Sequence, residues 1–204
     1  QPPATLPPGV RYHHADLADP DHLDRLTATI AALEPGILVN NAGVNVKGPT
    51  AAFADADYHR LHAVNLHAPF ALTRAALPAM ARAGWGRIVN VTSMWGAITG
   101  NPANAAYCAS KAGLAGFTLS LAVEVARHGI LVNAVAPGFT LTEAAADAYT
   151  RDELAAVADV IPVGRLARPA EVAALVAWLC SSDNTYVTGQ EILIDGGLAR
   201  AARP

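Results

Sequence analysis

The sequence predicts an α/β fold organised around one doubly wound parallel sheet. Apolar runs recur along the chain as Gly36-Ile-Leu-Val-Asn40, Arg87-Ile-Val-Asn-Val91, Ile130-Leu-Val-Asn-Ala-Val135 and Glu191-Ile-Leu-Ile194. They are unbroken rather than alternating, as expected of parallel strands covered on both faces. Elsewhere apolar residues fall at helical spacing, with Leu23, Leu26, Ile30 and Leu33 in one stripe and Val172, Leu175, Val176 and Leu179 in another. At 204 residues the chain is one domain of ordinary size, long enough to bury a large core. The domain is expected over residues 10–200, between a linker or trimmed end at 1–9 and a tail at 201–204.

Residues 1–9 carry four prolines, which excludes helix and central strand there. Val10-Arg-Tyr-His-His14 is a short strand candidate, with Asp16 in the turn after it. Asp19 is placed to cap a helix that has Pro20 at its first position. The Gly36–Asn40 strand ends in Asn41-Ala42-Gly43, whose small residues allow close backbone approach while Asn41 supports the turn. A long helix is expected from about Asp55 to Ala83, kinked at Pro69, with Asn65 inside it in an unfavourable place for a short amide. The next strand delivers Ser93 at its carboxyl end, where open α/β sheets bind ligands. Asn104 to Phe117 reads as a small-residue helix that can pack closely against its neighbours. Pro137-Gly138-Phe139-Thr140 ends the Ile130 strand, and Leu141 to Ile161 reads as two short helices. Arg168-Pro169 opens the last helix before the final strand.

Composition removes several functions. The net charge of −3 and scattered Lys and Arg residues give no basic field, which argues against nucleic acid or an anionic membrane as partner. No apolar run is read as long enough to span a membrane, and no signal-peptide pattern opens the chain. Cys108 and Cys180, each in an apolar helical setting, fit a reduced cytoplasmic protein better than a disulfide framework. His59, His62 and His67 lack the Cys or carboxylate ligands that would complete a metal site, so no metal is expected. Ser93 lacks the Gly-x-Ser-x-Gly elbow of a hydrolase. Hydrophobic residues make up 52% of the chain, more than one core of this size needs, which predicts a closed homo-oligomer, most simply a tetramer.

The chemistry centres on Tyr107-Cys-Ala-Ser-Lys111. A phenol and an ammonium four residues apart lie on one helix face. Tyrosine ordinarily titrates near pH ~10, and a Lys one turn away is expected to favour the phenolate and make Tyr107 a usable acid or base. The Ser93 hydroxyl beside it is placed to hold a carbonyl or alcohol oxygen. These residues occur in order with Asn40-Asn-Ala-Gly43, Asn65, Pro137-Gly138, Thr188-Gly189 and Asp195-Gly-Gly197, and from about Val10 to Gly197 the chain resembles the short-chain dehydrogenase/reductase family.

That resemblance implies a Rossmann-like fold and an NAD(P)-dependent oxidoreductase interconverting a secondary alcohol and a ketone. It implies Ser93 on the substrate oxygen, Tyr107 passing the proton, Lys111 tuning the phenol and binding ribose, and Asn65 holding a relay water. By the same resemblance the cofactor would meet Asp16 and Leu17 at the adenine, the Asn40, Ala42 and Gly43 backbone, and Pro137, Gly138, Phe139 and Thr140 at the nicotinamide. Met94, Trp95 and Phe139 would join Ser93 around a partly apolar substrate pocket. The segment after Leu141 matches the family's substrate-covering lid, where closure would exclude water. The run Arg87–Gly113 and Pro162-Val-Gly-Arg165-Leu look most like 3-oxoacyl-thioester reductases and hydroxyacyl or sugar-alcohol dehydrogenases. The family's glycine-rich phosphate turn is not found upstream of Val10, nor are its first two strands; at ~30 residues per βαβ unit, roughly 50 residues of the family pattern are missing. The expectation is therefore weak dinucleotide binding by these residues alone. A cofactor-free lyase, isomerase or binding protein on the same scaffold is the alternative.

Overall fold

The computed structural model describes residues 7–143 and 149–201. Four parallel strands form one sheet in chain order: β1 (Ile37–Asn40), β2 (Gly86–Val91), β3 (Ile130–Pro137) and β4 (Glu191–Ile194). Asn40 stands opposite Asn90, Val91 opposite Val135, and Pro137 opposite Ile194. This register brings the carboxyl ends of the strands to one edge of the sheet.

Helices α1 (Pro20–Leu33), α3 (Ala68–Ala83) and α4 (Ala105–Val125) cover one face. Leu23, Ala76, Met80, Leu121 and Val125 pack there on Leu38, Ile88, Ile130 and Val132. The opposite face is covered by α6 (Pro169–Cys180), whose Leu179 and Cys180 meet Val89 and Val135. The sequence predicts β1 to be covered on both faces, and it is not. Leu38 is buried, but Ile37 and Val39 are 46% and 40% exposed, because α6 lies against β2 and β3.

The first helix forms as its caps require. Asp19 accepts hydrogen bonds from the Asp21 and His22 amides at 2.9 and 3.2 Å, and Glu34 ends the helix in the left-handed region at φ 48°. Val10–His14 is not a strand: an extended segment becomes one only beside a strand that accepts its hydrogen bonds, and no described strand flanks it.

The long helix divides at Asn65, ahead of the expected break. α2 (Asp55–His62) passes into a π-helical turn at Ala63–His67 before α3 begins. Pro69 has no N–H to offer the carbonyl of Asn65 four residues back, and the Ala68 amide reaches instead to Ala63. α5 (Arg151–Asp159) opens with a Thr150–Glu153 capping box; the other helix expected before Ile161 falls partly on residues 144–148, outside the described residues.

One composition reading needs correction. The 24-residue helical stretch Ala105–His128 is long and apolar enough to cross a bilayer by length and composition. In this fold it lies along the sheet, burying Ser110, Lys111, Leu114, Thr118, Leu121 and Val125 on one side, while Leu119 and Val123 on the other are exposed.

Candidate active site

Three of the four strands deliver a piece of the site from their carboxyl ends. β1 leads into Asn41–Gly43, β2 into Ser93, and β3 into Pro137-Gly138. α4 passes beneath them and presents Tyr107 and Lys111 together. Asn41, Gly43, Ser93, Tyr107, Lys111 and Gly138 line one cleft of about 940 Å³. Trp95, Pro137 and Thr140 share its wall, and the cleft continues over Ile37 and Val39 to α6.

Lys111 is 4% exposed, and its Nζ donates to the Val91 carbonyl at 2.8 Å. Burial pulls the ammonium down to about 8. Nζ stands 5.9 Å from the centre of the Tyr107 ring. A Cβ on Gly43 would lie 3.3 Å from Nζ and 3.4 Å from Asn65 Oδ1, so a bare backbone is what lets the turn sit against both.

Asn65 is fully buried, and its amide is a staple. Oδ1 accepts from the Val44 amide at 2.8 Å; Nδ2 donates to the Val44 carbonyl at 2.9 Å and to Ser110 Oγ at 3.1 Å. Ser110 Oγ in turn donates to the Tyr107 carbonyl at 2.7 Å. The loop after β1 is thereby fixed to the helix turn that carries the phenol.

The phenol itself departs from expectation. Burial pushes the Tyr107 pKa up, the hydrogen bond with Ser93 lowers it, and the neighbouring Cys108 raises it. The lowering anticipated from Lys111 is not seen: its Nζ stands 5.9 Å from the ring centre, and with a pKa of about 8 the ammonium has already lost its proton where a phenol ionises. Tyr107 is therefore a proton donor at rest.

Ser93 Oγ is held by the Trp95 amide at 3.1 Å, and the Trp95 ring stands edge-on to Phe139 at 5.3 Å. Gly138 is required by close approach, since a Cβ there would fall 2.7 Å from Asp195 Cβ. Its amide donates to the Ile194 carbonyl at 2.9 Å, joining the ends of β3 and β4.

Seven of the expected site residues do not line the cleft, the stapled Asn65 among them. Asp16 accepts from the Ala18 amide at 2.9 Å and pairs with Arg60 at 3.5 Å, while Leu17 packs on the core. Asn40 faces α3 and donates to Thr73 Oγ1 and Asn90 Oδ1, so it is Asn40 rather than Asn41 that ties the turn to its neighbours. Ala42, Met94 and Phe139 also stand outside the lining; Met94 is buried against Gly138. Sequence reasoning missed Val44, Asn45, Thr92 and Thr142 in the wall, and the Ser110 link. Ser110 was detectable, three residues after Tyr107 on the same face.

Comparison with known proteins bears on the family and the fold. A family model described as enoyl-(acyl carrier protein) reductase matches residues 4–199. Nodulation protein G of Rhizobium sp. (strain N33) is 43% identical over 198 residues, covering 96% of this chain and 80% of that protein. A 3-oxoacyl-(acyl-carrier-protein) reductase of Rickettsia typhi is 41% identical over 183 residues, covering 90% of this chain and 74% of that protein. A crystal structure described as an NAD(P)-dependent gluconate 5-dehydrogenase from Beutenbergia cavernae, with NADP at low occupancy, superposes with a TM-score of 0.85 at 36% identity. It covers 92% of this chain and 76% of that one.

Proposed function

This chain belongs to the short-chain dehydrogenase/reductase family, and on that premise we propose that it reduces a 3-oxoacyl thioester, or a similar keto compound, to the secondary alcohol. The observation that carries the reading is the convergence of Ser93, Tyr107, Lys111 and Gly43 on one cleft. Similarity to the Rickettsia reductase supports the substrate class.

The residues present suit the nicotinamide–ribose half of a dinucleotide. Gly43 opens a bare cradle beside Lys111 Nζ, and Pro137, Gly138 and Thr140 wall its far side. Lys111 would hold the ribose hydroxyls and Asn41–Gly43 the adjoining backbone contacts. When bound, the nicotinamide supplies the hydride, and orientation and electrostatics are the protein's part.

Ser93 would donate to the substrate carbonyl and fix its oxygen beside the phenol. Tyr107 O–H, kept protonated by burial, would hand its proton to that oxygen as negative charge develops there. The Lys111 ammonium would stabilise the phenolate left behind. Asn65 and Ser110 would keep the Tyr107 turn in register through the staple. Trp95 and Phe139 provide an apolar wall.

The test offers the protein 3-oxobutanoyl-N-acetylcysteamine with NADH or with NADPH and follows loss of cofactor fluorescence. Substrate-dependent loss with at least one cofactor is expected. No loss with either would overturn the reading, and turnover without any nicotinamide would point to proton transfer alone.

A further inference from the structure

A close backbone contact joins two parts of the site, and the mechanism above leaves it unused. The loop after β2 closes on itself between Met94 and Thr99. The Gly96 amide donates to the Thr99 carbonyl at 2.9 Å, and the Thr99 amide and Oγ1 donate to the Met94 carbonyl at 2.9 and 2.8 Å. Gly96, inside this turn, lies against α4. A Cβ there would stand 3.1 Å from the Ala112 nitrogen, 3.2 Å from the Cys108 carbonyl oxygen and 3.3 Å from Lys111 Cβ. Two of those three atoms are backbone, so no change of rotamer makes room; the loop or the helix has to move.

Conformation makes the same demand as space, since Gly96 takes φ 150°, a positive value that residues with a side chain rarely adopt. The surrounding bonds decide which groups a displacement would reach. Ser93 is pinned to β3 on both sides: the Thr92 amide donates to the Val135 carbonyl at 2.8 Å, and the Met94 amide to the Pro137 carbonyl at 3.0 Å. A displacement at Gly96 is therefore taken up by Trp95, whose amide holds Ser93 Oγ at 3.1 Å, or by the turn of α4 that follows Tyr107. Either movement changes the alignment of the Ser93 hydroxyl with the phenol.

Two other glycines set the comparison. A Cβ on Gly100, in the same loop, would meet nothing within 4 Å and would suffer no positive φ. Gly84, at the end of α3, takes φ 64° but has equally open space around it. Gly100 thus carries neither constraint, Gly84 only the backbone one, and Gly96 both. We infer that Gly96 is a positioning residue, whose bare backbone seats the Ser93 loop on α4 and thereby sets the reach between the Ser93 hydroxyl and the Tyr107 phenol. A misplacement well short of the length of a bond is enough to slow groups that must act together. The inference rests on the ketone-reductase reading and deepens it with a residue that acts through Ser93 rather than on the substrate.

The test follows reduction of 3-oxobutanoyl-N-acetylcysteamine with the cofactor that wild type accepts, and places Gly96→Ala in the wild-type and in the Ser93→Ala background. In the wild-type background kcat should fall by about 10-fold. With the Ser93 hydroxyl already gone, the same change should cost about 2-fold or less, because both substitutions act on one alignment. Gly84→Ala and Gly100→Ala should keep kcat within about 2-fold of wild type, Gly84→Ala at a lower melting temperature. An equal loss in both backgrounds, or an unchanged kcat in folded Gly96→Ala, makes Gly96 a structural turn residue and overturns the inference alone. If Gly96→Ala does not fold, Thr99→Val, which removes the Oγ1 bond to the Met94 carbonyl, decides by the same comparison. A loss of about 3-fold is then expected in the wild-type background and none in Ser93→Ala. Equal loss in the two, or no loss in either, overturns the inference. Failure of wild type to reduce the thioester overturns the underlying reading, and the inference with it.

Discussion

The middle of the sheet and the start of α4 both bury polar groups, and they treat them in opposite ways. In the sheet, Asn40 donates to Thr73 Oγ1 at 3.2 Å and to Asn90 Oδ1 at 2.8 Å, and Asn90 donates to Thr118 Oγ1 at 2.9 Å. Thr118 completes the run by donating to the Leu114 carbonyl at 2.8 Å. One continuous chain of bonds thus fixes α3, β1, β2 and α4 in a single register. At the start of α4 a lysine is buried against one carbonyl, a phenol is pushed away from ionising, and an asparagine is left unpaired. Satisfied polar burial specifies packing. Uncompensated burial costs stability, and its concentration around Tyr107 marks where reactivity outweighs that cost.

The largest effect that would sharpen this contrast is on turnover. Tyr107→Phe keeps the ring and removes the exchangeable proton, so kcat should fall by about 10²-fold or more with thermal stability retained. Stability is expected to hold because the phenol's polar end is a burden in the folded state. A folded Tyr107→Phe protein with near-wild-type kcat would take the phenol out of the mechanism.

The sheet region should respond in the other currency. Asn90→Leu breaks the chain in the middle: Asn40 keeps Thr73 and Thr118 keeps the Leu114 carbonyl, but one buried Asn40 N–H loses its acceptor and Thr118 Oγ1 its donor, at about 1–3 kcal/mol for a buried group left unpaired. Urea unfolding should show a loss of roughly 2 kcal/mol or more, while kcat per folded molecule stays close to wild type. The same substitution at Asn104 is expected to cost no stability. If both asparagine-to-leucine variants lose stability alike, the two regions are not different in kind.

Much of this division was legible in the residues themselves. The strands were written as unbroken apolar runs, and α1 announced its ends with Asp19 and Pro20. Tyr107, Lys111 and Ser93 could be brought together from helix spacing and strand ends, and the structure places all three on one cleft. What escaped was non-local. Val10–His14 has strand composition, but a strand exists only with a neighbour. Asn40 and Asn41 are adjacent, and which one turns inwards depends on the side of β1 that α3 covers. Pro69 marked a break, but the break took the form of a π turn centred on Asn65, where the missing N–H is felt four residues earlier. The Tyr107 pKa direction depends on burial, which spacing alone does not reveal.

The smallest effect concerns Lys111 and has a sign that can be worked out in advance. Its folded pKa is about 8, against an ordinary value of 10.5, because burial penalises the ammonium. Below pH 8 both folded and unfolded chains carry the proton, so the cost of burial is fully present. Between 8 and 10.5 the folded chain has released the proton and the unfolded chain still holds it. The unfolded state then binds more protons, and stability must rise with pH, at no more than roughly 1.4 kcal/mol per pH unit for one proton. Tyr107 acts against this only above its ordinary 10.0, where the unfolded phenol ionises first. Urea unfolding followed from about pH 8 to about pH 10 should therefore show a rise in wild type that Lys111→Met lacks. Equal slopes for the two proteins would mean that the Lys111 ammonium is solvated or paired in the folded state, and that the start of α4 is compensated after all.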